Sequence, residues 1–260
     1  MTTRFRQYGA MAAALLLVGC MTATPQREVR TAEAIQHRIA AGMEYLQMGK
    51  PNEARQHLSR AVELDSRNAP AHNAMALLYK YEGDDEREAY HYRQALRADR
   101  NYSPARNNLG ILMYQQGNYR GALREFERAA NDPGYNNRGA AFENMARCHL
   151  ALGNRSEAIE YFNRSLRLTP DVSSTLIELG NLYLAENNPR LARRYMDQYD
   201  RVVQTPSAGA LWLGVRLAAA EGNSARQTEL ERKLSEEFPN AAETRAWRAW
   251  RDDKSRGAAG

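Results

Sequence analysis

Cys148 and His149 stand side by side, the residue types of a thiol nucleophile and its base, while His57 and His91 recur 34 residues apart, the types of a metal-ligand pair. Helical geometry argues against both. Neighbouring residues of a helix do not face each other, so Cys148 reads as a small buried hydrophobe and His149 as a core side chain. His57 and His91 read as parts of a solvated face. The sequence holds no HExxH, CxxC, GxSxG or Gly-Lys-Ser/Thr stretch, so the usual signatures of metal, redox, hydrolytic and phosphate-binding chemistry are missing. We therefore expect no catalytic residue, no metal site, no cofactor and no small-molecule substrate.

The remaining chemistry-bearing residue is Cys20. Arg4 and Arg6 give a positive start, Gly9 to Val18 an apolar run, and Leu17-Val18-Gly19-Cys20 its end. That run is shorter than the roughly 20 residues of a membrane-spanning helix. Its last four residues resemble a bacterial lipobox, which implies a signal peptide over 1–19, cleavage before Cys20 and a covalent lipid on that cysteine. More than one acyl chain is what stable anchoring requires. Met21 follows where many inner-membrane lipoproteins of Gram-negative bacteria carry Asp, so the implied address is the periplasmic face of the outer membrane. With Cys20 modified, the second cysteine has no disulfide partner.

Composition sets further limits. The 260 residues are 43% hydrophobic and 26% charged, and the net charge of +5 falls to about +3 once Arg4 and Arg6 are removed. So small an excess gives no reason to expect nucleic acid. Residues 20–34, with Thr, Pro and charge, read as a flexible tether, and 252–260 as a disordered tail.

Between them lies a repeat. Small residues fall at Gly42, Ala76, Gly110, Ala146, Gly180 and Gly214, with steps of 34, 34, 36, 34 and 34. That period is the tetratricopeptide (TPR) one. Twelve residues after each, a second small residue is wanted, and the chain supplies Ala54, Glu88, Ala122, Ala158, Ala192 and Arg226. A further small slot ends with Tyr199 and Lys233 in the last two repeats. Close approach of two helices requires small side chains at the crossing, with bulky ones on either side filling the gap to the next hairpin. The expected fold is all-α: a right-handed superhelical solenoid of six TPR helix-turn-helix repeats at 35–68, 69–102, 103–138, 139–172, 173–206 and 207–240, with a capping helix over 241–251. The longer third step, near Asn131 to Tyr135, suggests a division of the solenoid into two halves there.

The wall of such a solenoid is lined by first helices, at the second, fifth, ninth and twelfth places of each repeat. The candidate partner-binding groove comprises Ile39, Met43, Leu46, Asn73, Leu77, Asn107, Ile111 and Tyr114; the fourth repeat adds Glu143 and Arg147. Two arrangements fit the apolar members: an exposed groove for an amphipathic helix or extended peptide whose backbone Asn73 and Asn107 would hold, or packing against neighbouring helices.

Several stretches resemble the PilF/PilW pilotin family of type IV pilus biogenesis proteins: Ala69-Pro-Ala-His-Asn-Ala-Met-Ala76, Asn107-Asn-Leu-Gly110, the longer loop carrying Tyr135 before Phe142-Glu143-Asn144, Tyr161-Phe-Asn-Arg-Ser-Leu-Arg-Leu168 and Gly214-Val-Arg-Leu217. The resemblance implies a lipid-anchored outer-membrane pilotin that binds the pilus secretin subunit in the periplasm and promotes its localisation and multimerisation. An adaptor lipoprotein that scaffolds peptidoglycan hydrolases, or one serving another envelope assembly machine, would share anchor and repeats.

Overall fold

The computed structural model describes residues 25–257; Cys20, the leader before it and the expected anchor lie outside them. The described residues are helical hairpins and turns, in two compact units that meet between Arg100 and Asn101. The expected division near residue 131 is therefore displaced by one repeat.

The first unit holds α1 (Pro25–Gln47), α2 (Pro51–Leu64), α3 (Ala69–Glu82) and α4 (Asp85–Ala98). Its core joins Ala54 and Leu58 of α2 to Ala74, Met75, Leu78 and Tyr79 of α3. α1 begins at Pro25, nine residues before the expected end of the tether at 34, and Ile35 in its middle is buried against Ala61 and Ala71. Composition missed this because the first turns of α1 carry little apolar content; the burial that holds the helix starts only at Ile35. Asn68 and Asp84 cap α3 and α4, their side-chain oxygens accepting from the backbone N–H of Ala71 and Arg87, each at 2.9 Å.

The second unit holds α5 (Ser103–Gln115), α6 (Tyr119–Ala130), α7 (Arg138–Ala151), α8 (Arg155–Leu168), α9 (Ser173–Ala185), α10 (Pro189–Val202), α11 (Ala208–Ala220), α12 (Ser224–Glu237) and α13 (Ala242–Gly257). At Gly110 and Gly214 the period's small residue faces the second helix of its own hairpin, whereas Gly180 on α9 faces Leu213 of α11. A Cβ on Gly110 would stand 2.6 Å from the Phe126 ring, so the α5/α6 crossing closes only around glycine. Where most of the hairpin turns use a glycine at positive φ, the α9/α10 turn uses Asn187 at φ 56°, the residue type that tolerates that region best after glycine.

The loop between α6 and α7 does not separate its flanking hairpins. Tyr135 packs on the cluster of Phe126, Phe142 and Met145, Ser103 Oγ donates to Asp132 Oδ2 at 2.5 Å, and Arg138 Nε donates to the Ala130 carbonyl at 2.7 Å. The added residues are absorbed by local bonds.

Each departure from the repeat pattern is accommodated differently. Glu88 is 2% exposed beside the fully buried Tyr92. Tyr199 is buried and its hydroxyl accepts from the Ser207 backbone N–H at 3.1 Å. Arg226 and Lys233 both reach Glu229, at 2.7 and 3.1 Å, on a helix that buries only Leu230 and Leu234. Beyond them α13 continues to Gly257, so residues 252–257 are helical where a disordered tail was expected; Trp247 on α13 is buried against Leu211, Val215, Leu230 and Leu234.

Candidate partner-binding site

In the first unit, Ile39, Met43 and Leu46 lie along α1 at the spacing that keeps one face of a helix. All three are half-buried and packed on Leu58, Met75, Leu78 and Tyr79. Leu77 is half-buried and Asn73 buried. The two arrangements read from sequence thus merge: each apolar side chain gives one side to the core and keeps the other open.

In the second unit, Ile111 and Tyr114 on α5 likewise pack on Phe126, Phe142 and Met145 while staying part-exposed. Tyr114 meets Tyr119 with ring centres 5.2 Å apart. Asn107 is buried, and its Oδ1 accepts from Asn144 Nδ2 at 3.2 Å. The oxygen expected to hold a partner's backbone is therefore already engaged.

That bond belongs to a series the sequence reading missed. From α7 to α9, Glu143 Oε1 accepts from Ser174 Oγ at 3.0 Å as well as from Arg147 Nη2 at 2.8 Å. From α9 to α11, the Arg216 guanidinium donates through Nη2 to Asn181 Oδ1. Successive first helices of the unit, α5 to α7, α7 to α9 and α9 to α11, are thus each joined by a polar link. The signal was present as polar residues in otherwise apolar first helices, but only the structure shows which ones meet.

The residues first considered for chemistry are positioned otherwise. Cys148 is fully buried and desolvation pushes its thiol up to about 12, which keeps it protonated and unreactive at neutral pH. His149 is half-buried, not core, and stacks on Tyr161 with ring centres 5.2 Å apart. His57 stacks on Tyr45 at 5.3 Å. His91 instead meets His72, a residue the sequence reading passed over, with their Nδ1 atoms 3.1 Å apart. Among the described residues no group of three or more His, Cys, Asp or Glu side chains is placed to hold a metal ion.

Comparison with known proteins bears on what such a wall serves. The tetratricopeptide repeat model matches residues 39–103, 89–136 and 107–173. The type IV pilus assembly protein PilF of Pseudomonas aeruginosa is 31% identical over 239 residues, covering 90% of this chain and 94% of that one. The chain belongs to the PilF/PilW family. Its fold agrees: the solved structure of Pseudomonas aeruginosa PilF superposes with a TM-score of 0.79 at 30% identity, covering 84% of this chain and 98% of that one. A crystal structure of PilW, a widely conserved type IV pilus biogenesis factor, gives 0.72 at 25% identity over 82% and 97%. The half-open apolar side chains and the polar links thus lie on the first helices of a repeat scaffold of the PilF/PilW family.

Proposed function

We propose that this chain is a non-catalytic pilotin of type IV pilus biogenesis: anchored to the outer membrane by lipid on Cys20, it binds the pilus secretin subunit in the periplasm and promotes its localisation and multimerisation. The observation that carries this reading is family membership over nearly the whole chain, 31% identity across 90% of its length. The site supports it in kind. Ile39, Met43 and Leu46 in one unit, and Ile111 and Tyr114 in the other, leave apolar side chains part-open on first helices, and part-open apolar side chains at helical spacing suit a helix or strand of a protein partner. The lipid supplies the membrane address for a client held by the repeats.

The test is an immunoblot of unheated outer membranes for heat-resistant secretin multimers in wild type, deletion and Cys20→Ala strains. Loss of multimers with monomer still present, in both the deletion and the Cys20→Ala strain, is expected. Unchanged multimers in the deletion would sink the pilotin role and favour an adaptor for peptidoglycan hydrolases or another envelope machine; unchanged multimers in Cys20→Ala alone would remove the anchor from the mechanism.

A further inference from the structure

The last polar link of the second unit differs from the others in its electrostatics. Arg55, Arg106, Arg147 and Arg193 are half-buried arginines that each meet a glutamate. Arg216 is also half-buried, yet its protein partners are neutral: the Asn181 carbonyl oxygen and the Trp212 ring, whose centre lies 5.0 Å from Cζ. Its Nε is buried without a partner. Desolvation with no compensating carboxylate pulls its pKa below the ordinary arginine value. Among the described residues no hydrogen bond is made by Nη1 either. A guanidinium that has lost water without gaining an anion is an unfavourable arrangement, and an arriving carboxylate relieves it.

The surroundings add the rest of a site. Trp212 meets Trp250 of α13 edge to face at 5.6 Å, and Lys254 Nζ lies 4.2 Å from the Trp250 ring centre. Both indoles are half-buried, and no carboxylate pairs with Lys254 among the described residues. Two part-open aromatic faces are therefore flanked by two cations without counter-charges. Indole next to guanidinium is a combination that dominates protein recognition sites, because it offers a large rigid apolar surface beside a fixed fork of donors.

We infer that Arg216, Trp212, Trp250 and Lys254 form a docking site for an acidic segment of a partner protein, a carboxylate meeting Arg216 while an apolar side chain lies on the indoles. This goes beyond the secretin reading, since it fixes the chemistry of the ligand whichever envelope protein supplies it. All three tryptophans of the chain, Trp212, Trp247 and Trp250, sit in this cluster, so intrinsic fluorescence reports on it selectively.

The test titrates the full chain with four probes at matched ionic strength: the blocked peptide acetyl-Ala-Asp-Leu-Phe-Asp-Ala-amide, its counterpart with both Asp replaced by Asn, that Asn peptide with a free C-terminal carboxylate, and sodium phosphate. A saturable fluorescence change with a midpoint of about 1 mM or below is expected for the Asp peptide and not for its blocked Asn counterpart. A response to the free-carboxylate peptide alone would assign the ligand group to a chain terminus. Arg216→Gln should weaken binding about tenfold or more, with Arg216→Lys intermediate because it keeps the charge and loses the fork. Should Arg216→Gln fail to fold, Lys254→Gln at an exposed position carries the test and should also weaken binding. No saturable change with any peptide, equal binding by the Gln variants, or phosphate matching the peptides would overturn the inference. None of these readouts involves secretin, so this site and the pilotin role can fail separately.

Discussion

The Nδ1 atoms of His72 and His91 lie 3.1 Å apart, between α3 and α4, and the Nε2 atom of His72 stands 3.1 Å from the Ser66 carbonyl oxygen. A carbonyl can only accept, so His72 carries its proton on Nε2 and offers a bare Nδ1 to the N–H of His91. A second proton on His91 would sit on its Nε2 and leave this bond in place, but it would put a charge into a desolvated site.

That geometry predicts acid sensitivity. Burial, with His72 adding to it, pushes His91 from 6.5 down to about 4, so the fold prefers its neutral form. The stabilisation is complete above pH 6.5 and is lost as pH falls toward 4. Thermal unfolding at pH 7.5 and 4.5 should show the loss in wild type and a smaller one in His91→Gln. Equal losses in the two proteins would remove His91 from the account.

Glu88, on the same helix as His91, acts with the opposite sign. Burial raises its pKa, since the carboxylate form is desolvated in a slot meant for a small residue. The penalty is absent below its unfolded value of 4.5 and grows as pH rises through the folded one. Glu88→Gln should therefore raise Tm at pH 8 and leave it nearly unchanged at pH 4, measured by circular dichroism.

At the α5/α6 crossing, Gly110→Ala places a Cβ 2.6 Å from the Phe126 ring, and the overpacking should cost about 2 kcal/mol. Phe126→Leu, itself destabilising, should accept the added methyl. A double-mutant cycle in denaturant then gives a coupling of at least about 1 kcal/mol; strict additivity would mean that the ring has room to turn away.

Met43 divides its surface between core and solvent. Met43→Gln should cost only about 1 kcal/mol of stability, within the range of ordinary substitutions, while lowering secretin multimers. Leu58→Ala, which empties a fully buried position, should cost about 2–5 kcal/mol. If the proposed pilotin role holds and Met43→Gln still leaves multimers at the wild-type level, α1 is not the binding face.

Cys148 should resist iodoacetamide in the native protein at pH 8, because its thiol is buried and pushed up to about 12. Labelling should appear together with global unfolding in denaturant. Fast native labelling would show that α7 opens locally.

Most of the helical architecture was legible because the fold repeats. Small residues recur where helices approach closely, so Gly110, Gly180 and Gly214 announce themselves by period alone, although Gly180 meets Leu213 of the next hairpin and not its own second helix. The start of α1 was not legible, since its early turns carry no apolar stripe and only Ile35 and the residues after it are held by packing. Nor was the joint near Asn131, where an insertion in sequence became a bonded loop instead of a boundary. Repeat position told which apolar side chains share a face of each first helix, whereas it did not tell the links from Asn107 to Asn144 and from Arg216 to Asn181. A residue's repeat position places it on a helix, but which neighbour it bonds depends on the offset between successive helices, and that is a three-dimensional quantity. The pair His72 and His91 escaped for the same reason.

The final helix carries a consequence of its own. Trp247 of α13 seals Leu211, Val215, Leu230 and Leu234, and buried Thr244 ties the helix back through Oγ1 to the Phe238 carbonyl at 2.6 Å. Arg245, Arg248, Arg251, Asp252 and Asp253 point outward and are exposed. A repeat array offers its end face to any further copy of the same module, and a charged last layer is what refuses it. α13 thus closes the array as a stopper unit closes a polymer: its outer side offers charge where a next repeat would need an apolar face.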